Sequence, residues 1–156
     1  MEKEELFLYA CKKGFLDIVI HFCKDKSIDI NFKDGLPLKT ACIYNNIIIV
    51  KYLIFNKADV NIDNGAPLIM SLYKTNYDIS IFLIENGANV NVLDDLPLRI
   101  CIHQNNFEMV KYLCSRGANI FNKFLSNNFL EKLIEQGNYE IPFYIKNQRI
   151  IQNQKK

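Results

Sequence analysis

Apolar residues along this chain recur in pairs of short helical patterns. Leu6 to Cys11 predicts a first short helix, stopped at Gly14. Leu16, Val19, Ile20 and Cys23 then fall on one helix face at the i, i+3, i+4, i+7 spacing. The pair repeats as Leu38 to Tyr44 with Ile47 to Asn56, Pro67 to Lys74 with Tyr77 to Asn86, and Pro97 to Gln104 with Phe107 to Arg116. Asn45-Asn46, Thr75-Asn76 and Asn105-Asn106 are predicted as the turns between paired helices, with an Asn placed to cap the second helix. Pro37-Leu38, Pro67-Leu68 and Pro97-Leu98 are each 30 residues apart. The same register carries Asp29-Ile30-Asn31, Asp59-Val60-Asn61, Asn89-Val90-Asn91 and Asn119-Ile120-Phe121. A fixed period of this length signals a repeat architecture.

The punctuation agrees with that register. Each Pro stands at a helix start, where its missing N–H costs nothing and φ is already set. Gly87 and Gly117 follow the last helical residue, where the chain needs positive φ. Repeat two carries Lys57 there instead, at an expected cost of about 1 kcal/mol. The units run about 4–31, 32–61, 62–91 and 92–121. A degenerate cap at 122–150 is predicted to hold helices near 126–135 and 139–149, followed by a basic, fraying tail at 151–156. End units diverge because one of their sides faces water. The whole, 1–156, reads as a single all-α repeat domain, a solenoid of stacked helix–turn–helix units with short hairpin-like fingers.

Composition narrows the function classes. A chain of 156 residues with 49% hydrophobic content supports one substantial core. The formal charge of +2 argues for neither nucleic acid nor an anionic membrane as partner. The charged start, Met1 to Glu5, is not a signal peptide, and no stretch approaches the roughly 20 apolar residues of a membrane span. The five cysteines are an odd number. Cys11 and Cys42 share a repeat position with Leu72 and Ile102. Cys101 stands where Ala41 and Ser71 stand, and Cys23 and Cys114 stand where Ile54 and Ile84 do. They read as core hydrophobes in a reducing, cytoplasmic compartment, not as disulfides or metal ligands.

Helix–turn–helix units joined by a Gly-Ala-Asn-Val-Asn segment (87–91) and restarted by Pro-Leu resemble ankyrin repeats. The resemblance covers about Glu4 to Phe121. The family's usual period is 33 residues; here Asn61 and Pro67 are only six apart, so the finger is clipped by three. The family's Thr and His before and after Pro-Leu are replaced by Leu36, Ala66 and Leu96, and by Lys39, Ile69 and Arg99. The clipped form, with its Asn/Ile/Lys bias, resembles ankyrin proteins of large DNA viruses of the mimivirus type. The resemblance implies a non-catalytic module that binds another protein, here a host protein.

No catalytic or cofactor motif is present: no P-loop, GxGxxG, HExxH or GxSxG, and no zinc-type Cys/His spacing. His21 falls on a position shared with Tyr52, Phe82 and Tyr112 and reads as packed and half-buried. The Asp94-Asp95 pair reads as a solvated loop tip. The resemblance implies that targets touch the first helices of the repeats. One lane across them is Lys12, Ile43, Tyr73 and His103; the next is Lys13, Tyr44, Lys74 and Gln104; a third adds Lys39, Ile69 and Arg99. Behind them the finger tips carry Lys33, Asp34, Asp63, Asn64, Leu93 and Asp94. Tyr44 and Tyr73 inside a basic rim have the composition of an interface hot spot, suited to an acidic, partly apolar protein segment. The alternative is self-association through the C-terminal end, at Phe121, Phe124, Leu125, Phe129 and Phe143. Nucleic-acid binding through Lys146, Arg149, Lys155 and Lys156 is the weakest reading, and no membrane role is indicated.

Overall fold

The computed structural model describes residues 2–25 and 28–154. Part of the polar turn predicted at 24–27 lies outside this description, as do Lys155 and Lys156 of the tail. The chain divides into two compact units, residues 1–89 and 90–156.

The first unit holds six helices: α1 (Lys3–Lys13), α2 (Leu16–Asp25), α3 (Phe32–Ile43), α4 (Ile47–Phe55), α5 (Ile62–Tyr73) and α6 (Tyr77–Glu85). They pair as the hydrophobic pattern requires, α1 on α2, α3 on α4 and α5 on α6. The first helices form one layer, with α3 packed on both α1 and α5. The second helices form the other, with α4 packed on α2 and α6. The period-matched residues make the core: Cys11, Cys42 and Leu72 are fully buried, as are Leu38 with Leu68 and Leu53 with Leu83. Gly14 ends α1 at φ 82, in the left-handed region.

The fingers differ from the expected hairpins: the described residues contain no strand. Lys33, Asp34 and Gly35 have φ of 48, 55 and 72. Asp63, Asn64 and Gly65 repeat this at 52, 54 and 77. Each finger is therefore one left-handed turn, closed by Gly35 N–H on the Asn31 carbonyl (2.9 Å) and Gly65 N–H on the Asn61 carbonyl (3.1 Å). Six residues cannot hold a two-stranded hairpin and also restart a helix. Asp-Gly and Asn-Gly tolerate positive φ, so the chain reverses within one turn and resumes at Pro37 or Pro67.

Asparagines fasten repeat to repeat. Asn31 Oδ1 accepts from Asp59 N–H at 3.0 Å. Asn61 Oδ1 accepts from Asn89 N–H at 2.8 Å, while its Nδ2 donates to the Gly87 carbonyl at 2.9 Å. Asp29 and Asp59 brace this ladder by accepting from the N–H two residues on, at 2.9 and 2.8 Å. The predicted caps Asn46 and Asn76 make no side-chain cap bond. Instead Asn46 Nδ2 donates to the Cys11 carbonyl (2.7 Å) and Asn76 Nδ2 to the Cys42 carbonyl (2.7 Å). These two side chains satisfy the open carbonyl end of the preceding repeat's first helix.

The second unit holds α7 (Val92–His103), α8 (Phe107–Ser115), a short 3-10 turn (Lys123–Leu125), α9 (Asn127–Glu135) and α10 (Glu140–Asn153). Its finger is left-handed too, at Leu93, Asp94 and Asp95 (φ 49, 54 and 61). Asn91 continues the ladder, accepting from Asn119 N–H at 2.9 Å and donating to the Gly117 carbonyl at 3.0 Å. Here Asn106 does cap, accepting from Met109 N–H at 3.0 Å. In the degenerate cap, Ser126 accepts from Phe129 N–H to start α9. Pro142 sits in the first turn of α10, which extends to Asn153, past the predicted end near 149.

Candidate functional site

In the first unit the inner-lane residues cluster at the ends of the first helices. Lys12 and Lys13 occupy the last turn of α1, where cations suit the helix dipole. Tyr44 follows α3, Tyr73 closes α5 and Lys74 follows it. Asn45 and Thr75, at φ 59 and 57, break the helices there and turn the chain away. Tyr44 is 47% exposed and Tyr73 60%, both large values for aromatic rings. Lys12, Lys13 and Lys74 are exposed, and Ile43 and Ile69 are half-buried. Lys12 Nζ lies 4.9 Å from the centroid of the Tyr44 ring, a cation–π contact between adjacent repeats. No ring contact joins Tyr44 to Tyr73 among the described residues.

The structure adds two aromatics to this face. Tyr9 is 44% exposed, with Lys13 Nζ 5.9 Å over its ring and Phe15 edge-on at 6.0 Å. The signal for Tyr9 was in the sequence: it holds the position of Thr40, Met70 and Ile100, and is the one aromatic among them.

Lys39 does not belong to the exposed rim. It is 8% exposed, and its Nζ donates to Asp63 Oδ2 of the next finger at 2.7 Å. The aliphatic stem packs between repeats and the charge is consumed by the finger. Lys33 is likewise engaged, with Glu4 at 2.9 Å, though it stays exposed. Asp34 and Asn64 are exposed at their tips. His21 is exposed, not half-buried, because it lies at the outer edge of α2; its ring approaches Phe22 at 5.5 Å.

The second unit treats its share of the lanes differently. The Arg99 guanidinium stacks 4.7 Å over Phe124, and Phe124 packs on Phe129 at 4.4 Å. His103 lies 5.7 Å from Phe124 and 6.4 Å from Phe129. Arg99 and His103 are thus covered in part by the cap's own aromatics. Gln104 is half-buried. Leu93 is 54% exposed and Asp94 exposed, but Asp95 is buried. Its carboxylate accepts from Asn119 and Asn122, so it braces the finger and is not a solvated tip.

Of the residues assigned to nucleic acid, Lys155 and Lys156 lie outside the described residues, and Arg149 is turned inward. Arg149 donates to the Ile120 carbonyl through Nε (2.8 Å) and Nη2 (2.6 Å), and to the Leu125 carbonyl at 2.6 Å. Loss of solvation pulls its pKa down from the ordinary arginine value. It fastens the cap together. Of the apolar set assigned to self-association, Leu125 is buried and Phe124 and Phe129 are half-buried. Phe121 and Phe143 remain 45% and 55% exposed.

The cysteines are free thiols. Burial pushes Cys11 and Cys101 up to about 12 and Cys114 to about 11, with Cys42 higher still. Such thiols are poor nucleophiles and poor metal ligands at neutral pH. Among the described residues no cluster of three His, Cys, Asp or Glu is placed to hold a metal ion. No described helix is long and apolar enough to cross a membrane.

Comparison with known proteins decides the family. Residues 2–64 match the family model for ankyrin repeats in three copies, and residues 94–123 match that of the single ankyrin repeat. Together these spans cover more than half of the chain. This chain is an ankyrin-repeat protein. No curated protein matches it. Ankyrin repeats are generally protein–protein interaction modules and typically non-catalytic. The shortened left-handed finger seen at 33–35, 63–65 and 93–95 is the local variation this chain imposes on its ankyrin units.

Proposed function

We propose that this ankyrin-repeat chain binds a partner protein through the inner face of its first helices, centred on Tyr44 and Tyr73. The supporting observation is the exposure of both rings among Lys12, Lys13 and Lys74, with Lys12 already held against Tyr44. Aromatic anchors in a cationic surround are the residue types enriched in interface hot spots. The single-turn fingers are too short to reach far, which favours the helix ends over the finger tips as the contact surface. With Lys39 buried against Asp63, the face comprises Lys12, Lys13, Ile43, Tyr44, Ile69, Tyr73 and Lys74, with Tyr9 beside it. Arg99, His103 and Gln104 hold the matching repeat positions within the second unit. The fitting partner is an acidic, partly apolar segment. The clipped repeat and the Asn/Ile/Lys bias support a large-DNA-virus origin, with a host protein in the cytoplasm as the target.

Affinity capture on the full chain, compared with the Tyr44→Ala/Tyr73→Ala variant, tests this reading. Both rings are exposed, so the variant should fold normally. Partner capture should fall at least tenfold; capture at full strength by a folded variant refutes the site.

A second reading, self-association, rests on Tyr139, Phe143 and Ile150, which are 55%, 55% and 56% exposed in the C-terminal unit. Sedimentation of a strict monomer at high concentration counts against it.

A further inference from the structure

The outer face of repeat two breaks a rule that the other repeats keep. At the second position of the second helix, Asp17, Asp78 and Glu108 stand where repeat two has Ile48. At the last position, Lys24, Glu85 and Ser115 stand where it has Phe55. At the left-handed turn that follows, Gly87 and Gly117 stand where it has Lys57, at φ 73. Ile48 is 63% exposed and Phe55 82% exposed. Ile48, Lys51 and Phe55 lie at i, i+3 and i+7, one stripe down the solvent side of α4. Each exchange is unfavourable for the isolated fold, since two expose large apolar groups and one places a side chain at positive φ.

The three exchanges converge on one feature. A cleft of about 650 Å³ opens on this side of α4 and α6, lined by Lys51, Ile54, Phe55, Lys57, Phe82 and Asn86. Lys51 Nζ lies 5.5 Å over the Phe82 ring. The lining offers two aromatic rings, two ammonium groups and no carboxylate. Its volume lies in the range of pockets that receive organic side chains.

We propose that this outer cleft is a second docking site, distinct from the inner face, for an acidic peptide segment carrying an apolar anchor. The anchor side chain enters between Phe55 and Phe82, and flanking carboxylates meet Lys51 and Lys57. The concavity selects a peptide over a bilayer, because a membrane surface does not fill a cleft with a side chain. Two lysines also fall short of the four to eight basic residues that mark binding to anionic lipid. A second copy of the chain, itself net positive at +2, lacks the overall acidic complement.

The test is a random 12-residue peptide library displayed on phage and panned on the full chain, with Phe55→Ser as counter-selection. Enriched sequences should place Asp or Glu beside Leu, Phe or Trp. Synthetic copies should lose at least tenfold in affinity to Phe55→Ser and to Lys51→Glu, yet bind Tyr44→Ala normally. They should shift the amide resonances of residues 51–57 and 82–86. Both altered residues are exposed, so folding is not at stake. No such enrichment, or equal binding to both variants, overturns the proposal. So does binding to phosphatidylserine vesicles, or a monomer–dimer equilibrium, that these same variants abolish.

Discussion

Replacing Gly35 with alanine separates two costs that the left-handed finger combines. Gly35 has φ +72, and a Cβ placed there meets Ile62 Cγ2 at 2.4 Å and Cδ1 at 3.1 Å. Gly87 has φ +93, with nothing within 4 Å of the added carbon. Gly87→Ala therefore reports the backbone term alone. That term is about 1–2 kcal/mol for a side chain held in the left-handed region. It is partly offset by about 0.4–1 kcal/mol of lost freedom in the unfolded chain, leaving roughly 0.5–1 kcal/mol. Gly35→Ala bears the same term plus the overlap. Ile62 is β-branched and stiff at χ1, so it yields only by moving backbone, at about 1–3 kcal/mol for overpacking of this kind. The total for Gly35→Ala is then about 2–4 kcal/mol by the same terms. Urea denaturation followed by circular dichroism measures both variants, and hydrogen exchange of α3 and α5 places the loss. Removing the obstructing atoms with Ile62→Ala in the Gly35→Ala background should recover part of the overlap cost. A Gly35→Ala variant no less stable than Gly87→Ala would refute the reasoning.

Three further outcomes follow from the same geometry. Lys57→Gly should raise stability by about 0.5–1 kcal/mol, since the exposed lysine sits at φ 73; a melting temperature unchanged or lowered contradicts this. Ser71 and Ser80 are fully buried and bonded to each other at 2.7 Å, where sister repeats pair Ala10 with Val19 and Ala41 with Val50. Ser80→Val alone should cost about 1 kcal/mol by removing one partner, whereas Ser71→Ala/Ser80→Val should recover that loss or exceed wild type; additive losses in the double variant would show the serines act independently. The cysteines should make stability fall in alkali. Their folded values, about 12 for Cys11 and Cys101 and about 11 for Cys114, lie above the ordinary 9.0. Their contribution is complete below pH 9 and lost as pH rises toward the folded values, because only the unfolded thiols ionise in that window. Urea midpoints that do not drop between pH 8 and 10.5 speak against it.

Much of the repeat frame was legible because it rests on hydrophobic period, Pro at helix starts and Gly at helix ends, all local signals. Even in the degenerate cap, the helices expected near 126–135 and 139–149 are present as α9 and α10. The finger geometry was missed although Asp34-Gly35 and Asn64-Gly65 announce positive φ. The expectation of a hairpin outweighed a six-residue interval that only a tight turn can span. The asparagine ladder was seen as a spacing but not as a bond, because its partners lie 28 residues away in the neighbouring repeat. Lys39 and Arg149 were read as free charges. A sequence shows a charged residue's position on a helix face, but whether the next finger or a carbonyl reaches it depends on three-dimensional packing. Tyr44 and Tyr73 stand in the two neighbouring lanes that the ankyrin resemblance marks as target-facing, and both rings are exposed.

The central claim is that Tyr44 and Tyr73 anchor a partner protein. Partner capture by the full chain and by Tyr44→Ala/Tyr73→Ala, with matched folding by circular dichroism, measures it most directly. The account predicts at least a tenfold loss of the captured protein. Equal capture by a folded double variant would contradict it.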